Sequence, residues 1–402
     1  MWMLAAALFY LQAAPLAEGI KALDEGRYEA AAQAFLQAVQ ADPADYEAHF
    51  NLALAYSFLE KDAEGIAEYR KALALKPGLY EAQLNAGILL LRQKNPSEAV
   101  PLLEAATAQK PSEFRPNYYL GEAERAVGAM AKAQESYRAA IAIDPKSAAA
   151  QLGLGRVLAR SGDLAAAAPY FRQAAQLDPA YRDSPLELAS FLERGGQTQE
   201  ALEIYRQFPD NPVAQEHLGQ LLIQSKQYRD AVPVLERIFS ASPSPENRAT
   251  LAMAYLSISQ LDKALPLLEK AASDGSAGFD LLVTYAHVLR DQKKYQQSAR
   301  QFAAALKLKP DAAHTWDEMG GVLYLAEDYQ PALAAFERAG QLGEKSAGNW
   351  FLRAIILDKT RQLKPAVEAY QQFLALSTGQ NPDQEWQARQ RIRILGKELE
   401  RR

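Results

Sequence analysis

Gly128–Pro145 reads GAMAKAQESYRAAIAIDP, and Gly162–Pro179 reads GDLAAAAPYFRQAAQLDP. The two stretches superimpose without a gap, as do GRYEAAAQAFLQAVQADP at Gly26–Pro43 and PSEAVPLLEAATAQKP at Pro96–Pro111. Pro43, Pro77, Pro111, Pro145 and Pro179 stand 34 residues apart. An ordinary core has no reason to space its prolines evenly, so the period marks one supersecondary unit copied along the chain. Each copy buries its apolar face only against its neighbours, and 402 residues can then form one extended array.

Composition removes several function classes. A formal charge of -5, with no long block of either sign, argues against nucleic acid as a partner. The absence of cysteine excludes disulfides, thiolate catalysis and Cys-based metal sites, and fits either side of a membrane. Met1–Leu11 (MWMLAAALFYL) is an unbroken apolar run followed by the small residues Ala13 and Ala14. It falls short of the roughly 20 residues that span a bilayer. We read residues 1–14 as an export signal, which points to a periplasmic or secreted protein. The alternatives are a helix capping the first repeat in a cytoplasmic protein, or an uncleaved segment giving the only membrane association.

With the terminal proline at position 32 of the repeat, Leu120-Gly121, Leu154-Gly155, Leu218-Gly219 and Met319-Gly320 fall at positions 7 and 8. Position 20 collects Ala31, Ala99, Ala133, Ala167, Ala201, Ala231, Ala264, Ala332 and Ala366. Position 24 collects Phe35, Tyr69, Tyr137, Phe171, Tyr205, Phe302, Phe336 and Tyr370. Small residues facing aromatics at fixed register are holes and knobs. The pattern resembles the tetratricopeptide repeat (TPR) family, whose unit is two antiparallel helices, A and B. The resemblance implies an all-α fold: a right-handed α-solenoid of tandem helix-turn-helix units that binds protein or peptide in a concave groove.

Eleven units are expected, starting near Gln12, Tyr46, Tyr80, Phe114, Ala148, Arg182, Pro212, Pro245, Phe279, Ala313 and Ala347. Short polar links such as GDL and KKY join A to B. Pro101, Pro169, Pro233 and Pro266 share position 22, expected to lie in the first turn or so of helix B, where proline is tolerated. Pro209 and Pro212 end the sixth unit early, so 15–211 and 212–380 read as two repeat blocks joined at 208–212. The eighth and tenth units end in SDGSAG and GQLGEKSAG instead of a proline turn. Residues 381–402 form a capping helix, with Ala388, Ile392, Leu395 and Leu399 on its apolar face and Arg389, Arg391, Arg393 and Lys397 elsewhere.

Catalytic chemistry is not expected. His49, His217, His287 and His314 lie in different repeats without metal-ligand spacing, though His287 and His314 sit on neighbouring A helices, with Asp317 three residues after His314. No phosphate-binding or nucleophile motif is present, and no cofactor, metal or small-molecule substrate is expected. Helix geometry turns positions 2, 5, 9, 12 and 13 of helix A away from its packing stripe. Those positions bring an apolar strip, Phe50, Leu54, Phe58, Leu84, Ile88 and Leu91, beside Arg92, Arg115, Tyr118, Glu122, Arg125, Arg156, Arg160 and Arg194. Arginine beside tyrosine and an apolar strip suits an acidic, hydrophobic peptide, with Glu122 and Glu193 as rival partners for the guanidinium groups. The lysine and asparagine pattern of chaperone-tail clamps is not matched. The sequence therefore predicts a non-enzymatic scaffold for protein partners; an assembly subunit packing array on array, or an accessory to carbohydrate modification or export, are the alternatives.

Overall fold

The computed structural model describes residues 14–401. The apolar N-terminal run, and the choice between leader and cap, lie outside them. Among the described residues every regular element is a helix, and none is long and apolar enough to cross a membrane. A helix over residues 14–24 pairs with Tyr28–Ala41, and A helices then begin at Tyr46, Tyr80, Phe114, Ala148, Ser184, Pro212, Pro245, Phe279, Ala313 and Ala347. Only the sixth departs from the frame by more than a residue, because a 3-10 turn, Pro179–Tyr181, precedes Ser184.

One backbone device joins helix A to helix B in all eleven repeats. Position 15 adopts the left-handed conformation at Gly26, Gly128, Gly162 and Gly196, and also at Glu60, Lys94, Lys226, Ser259, Lys293, Glu327 and Arg361, with φ between 57° and 88°. The next residue's N–H then reaches back five residues to a helix-A carbonyl, at 2.8–3.0 Å each time. Such a closure satisfies carbonyls that a helix end leaves open.

The knobs and holes meet as their register requires. All nine position-20 alanines have no exposed surface, and the eight position-24 aromatics are at most 2% exposed. Each of those rings gains about 1.5–3 kcal/mol by leaving water. Position 8 lets them in: a Cβ at Gly121 would stand 3.1 Å from the Tyr137 ring, and one at Gly320 would stand 2.5 Å from Phe336.

The position-22 prolines correct one expectation. Helix B starts at position 17, so Pro101, Pro169, Pro233 and Pro266 are each its sixth residue, in the second turn. Each removes an i→i−4 hydrogen bond, but the prolines and the residues four before them are all exposed, so water can take the freed carbonyl.

The chain divides into two compact blocks between Pro209 and Asp210. The last B helix of the first block, Thr198–Tyr205, has 8 residues where its counterparts have 13 to 15. Left-handed Gly275 and Gly343 end the eighth and tenth repeats in place of the proline turn. The final helix, Pro382–Glu400, buries Ala388 and Leu395 against a core that includes Phe351, Tyr370 and Phe373. Arg391 fixes it with a two-pronged contact to Asp358, both bonds 2.7 Å. Leu399, expected on the buried face, is 38% exposed because packing fades along the last turn.

Candidate functional site

In the N-terminal block the expected binding residues divide by exposure. Phe58, Arg92, Arg115 and Arg160 are exposed; Phe50, Leu54, Ile88, Tyr118, Glu122, Arg125 and Arg156 are half-buried. Leu84 is only 3% exposed and belongs to the core shared with Tyr69 and Leu103. Its side chain packs between repeats and is withdrawn from the surface, which corrects the sequence reading at that position. Phe58 stacks on Tyr28 with ring centroids 4.6 Å apart, and Phe50 leans on Tyr69 at 5.7 Å.

Half of these arginines already hold a carboxylate. Arg92 pairs with Asp62, whose hydrogen bond holds the guanidinium pKa up. Arg156 grips Glu187 of the next repeat in a fork of 2.7 and 2.6 Å bonds, which again raises its pKa. Arg125 donates to Glu122 at 2.6 Å, and Tyr137 donates its hydroxyl to the same carboxylate. Burial opposes the Arg125 charge, but Glu122 and Tyr137 outweigh it. Burial, then Glu122, drives the Tyr118 hydroxyl above its usual range, so Tyr118 remains a neutral donor stacked on Phe114 at 5.5 Å. Among the described residues, Arg115 and Arg160 make no ion pair, while Arg194 lies over the Phe191 ring at 4.7 Å.

A polar clasp at position 4 went unforeseen in the sequence, because that position belongs to the packing stripe. Gln83, Asn117, Gln151 and Trp316 each donate a side-chain N–H to the proline carbonyl six residues earlier, at 2.9–3.1 Å. His49 Nε2 lies 3.1 Å from the Pro43 carbonyl in the same way. These bonds tie each turn to the helix that follows. The signal was present: buried-stripe positions occupied by amides.

In the C-terminal block His287 and His314 converge on Glu318. His287 Nε2 lies 2.8 Å from Glu318 Oε1, and His314 Nε2 lies 4.0 Å from the same oxygen. No group of three ligating side chains suited to a metal occurs among the described residues. Beside Glu318 opens a cavity of about 360 Å³ lined mainly by the A helices of repeats nine to eleven, with Arg290, Asp317, Gly321, Tyr324 and Asn349 among the lining residues and Phe336 of a B helix at its side.

The sequence model of the tetratricopeptide repeat family matches residues 16–80, 84–148, 128–182, 152–212 and 285–349. The chain belongs to the tetratricopeptide repeat family. A second match, to the anaphase-promoting complex, cyclosome, subunit 3 family, covers residues 224–305 of this TPR chain. Over 130 residues the chain is 30% identical to the human protein O-mannosyl-transferase TMTC1, and the same holds for the mouse protein. That match spans 31% of this chain and only 15% of the human relative's length. Among solved structures, MamA from Desulfovibrio magneticus RS-1 is 25% identical with a TM-score of 0.40, covering 42% of this chain and 96% of that one. YrrB, a TPR protein described as having an unusual peptide-binding site, is 18% identical with a TM-score of 0.41 and covers 42% and 88%. Membership of the TPR family makes the chain a repeat scaffold of the kind that binds proteins.

Proposed function

We propose that this chain is a non-catalytic scaffold that captures a partner peptide on the helix-A face of its N-terminal block. The observation that carries the reading is the strip Phe50, Leu54, Phe58 and Ile88, which packing leaves exposed or only half-buried beside cationic side chains. The apolar strip anchors the partner, and the unpaired Arg115 and Arg160 select for acidic residues. Arg125 and Arg156 serve this role less well, because an incoming carboxylate has to displace Glu122 or Glu187. Action in the bacterial cell envelope belongs to the same proposal and rests on the apolar N-terminus alone. The mannosyl transfer named for the human relative is not carried over, since the match covers 15% of that protein.

The test is titration of the full chain with a fluorescent peptide that alternates phenylalanine and glutamate. Phe58→Ala and Arg160→Glu should each weaken binding several-fold with helicity unchanged, since both side chains are exposed and support no core. Equal affinity for wild type and both variants removes this face from the reading. Loss of residues 1–13 or 1–14 from native protein recovered outside the cytoplasm supports the envelope setting; a full-length cytoplasmic product refutes it.

A further inference from the structure

The eleven repeats are internal comparisons for one another, and at the joint between the last two, two facing positions change chemistry. Position 7 of helix A is Leu, Ala, Tyr or Met in repeats two to ten, from Leu52 to Met319, and Arg353 in the eleventh. Position 28 carries side chains such as Val39, Leu73, Ile141, Phe239 and Leu306 in other repeats, and glycine in the tenth alone, at Gly340. A groove forms where these positions meet. Between repeats seven and eight it is lined by Phe239 and Leu251; between ten and eleven Gly340 and Arg353 stand in their place, around a cavity of about 590 Å³. A Cβ built at Gly340 meets nothing within 4 Å, so packing does not require the glycine. The Arg353 guanidinium lies over the Trp350 ring at 4.3 Å and makes no hydrogen bond or ion pair among the described residues. Its Nε is sealed from solvent without a partner, while the two terminal nitrogens stay open. Burial works against the charge, with only the field of Glu337 to support it. A half-buried cation without a counter-ion costs stability until an anion arrives.

We propose that this cavity is a carboxylate-binding pocket with Arg353 as its anchor, independent of the face assigned in the N-terminal block. The Trp350 ring supports the flat side of the guanidinium and leaves its edge free, the edge that grips a carboxylate through two parallel N–H donors. Lys345 on the same lining adds a second cation, and the exposed Gln372 offers an amide donor. Two carboxylates oppose the ligand, and neither reaches Arg353. Glu344 lies 4.0 Å from His314 Nδ1, and Glu337 accepts a 3.5 Å bond from Gln341 while acting on Arg353 through its field alone. An incoming carboxylate therefore makes direct bonds that no group of the chain already makes, and displaces no ion pair. That distinguishes Arg353 from Arg125 and Arg156, whose forks are filled by Glu122 and Glu187. The exposed Leu376 gives the ligand's stem an apolar wall. The volume falls within the range of small-ligand sites, about 300–1,000 Å³, and admits one acidic side chain or a short free acid.

The experiment is a magnetic-resonance titration of the full chain, read at the Trp350 indole N–H, whose signal is assigned by its loss in Trp350→Phe. The probes are a blocked pentapeptide with a single central glutamate, its glutamine counterpart, and butanoate. The glutamate peptide should move the Trp350 signal saturably, and the glutamine peptide should bind about tenfold or more weakly for want of the charge. Arg353→Met, which restores the residue at position 7 of repeat ten, and Gly340→Leu, which restores the residue at position 28 of repeats two and nine, should each cause a similar loss with helicity unchanged. Arg353→Met should also raise the melting midpoint, because it removes an uncompensated charge from a packing position. Glu337→Gln should tighten binding several-fold by removing the opposing field. Comparable binding of butanoate supports the pocket with a free acid as its ligand; binding of the peptide alone supports a partner's side chain. Equal affinity for the glutamate and glutamine peptides, absence of a saturable shift, or affinity that survives both Arg353→Met and Gly340→Leu overturns the proposal.

Discussion

Adjacent glycines in the tenth repeat allow a sharp test of the knob-and-hole packing. Gly320 and Gly321 both lie inside helix Ala313–Leu325, so replacing either by alanine gains the same helix propensity, about 1 kcal/mol. Their surroundings differ. A Cβ at 320 would lie 2.5 and 2.6 Å from Cδ1 and Cε1 of Phe336, a ring 1% exposed and held on every side. Forcing it aside costs about 1–3 kcal/mol. Gly320→Ala should therefore end between neutral and about 2 kcal/mol less stable, and Gly321→Ala about 1 kcal/mol more stable. The difference between the two variants cancels propensity and isolates the steric cost. Urea denaturation by circular dichroism reads it as a lower midpoint for Gly320→Ala than for Gly321→Ala. Repeat arrays need not unfold in one step, so hydrogen exchange in helix Tyr329–Gln341 should follow the same order. Equal shifts in the same direction for both variants would refute the packing argument.

Two further outcomes follow from the turns and the core. Lys293 holds φ at 60°, where a side chain is strained, so Lys293→Gly should raise stability by about 0.5–1 kcal/mol, while Gly162→Ala at the equivalent turn should lower it; thermal melts decide. Glu124 is 3% exposed, accepts a 2.7 Å bond from Ser136 Oγ, and has its pKa raised by burial above 4.5. The unfolded carboxyl thus loses its proton first as pH rises through 4.5, and stability falls from there until the folded carboxyl has also ionised. Glu124→Gln should be more stable than wild type at neutral pH, with the gain vanishing below the ordinary carboxylate pKa; a gain that persists at acid pH contradicts the linkage.

The period made the fold legible because a 34-residue repeat superimposes many weak signals. A single alanine at position 20 says little, but nine in register, all buried, define a helix contact. Helix starts were legible to within two residues for the same reason. Charge pairing between repeats was not, since a face assigned within one helix ignores its neighbour. Arg156–Glu187 and His287–Glu318 join position 9 of one repeat to position 6 of the next, 31 residues apart. A search at that spacing would have found them, and would have shown Arg156, one of the proposed carboxylate-binding arginines, to be engaged already. Leu84 was misplaced because alternate faces of helix A are both partly covered in a stacked array.

The eleven identical A-to-B closures, together with helices that pack chiefly on the next helix or the next but one, bear on how such a gene changes length. Cutting the chain at any position and resuming at the same position one period later leaves the severed joints chemically like those they replace. Unequal recombination in steps of one period can thus lengthen or shorten the protein without passing through an unfoldable ancestor, while a shift that breaks register sets the alanines and rings against the wrong neighbours.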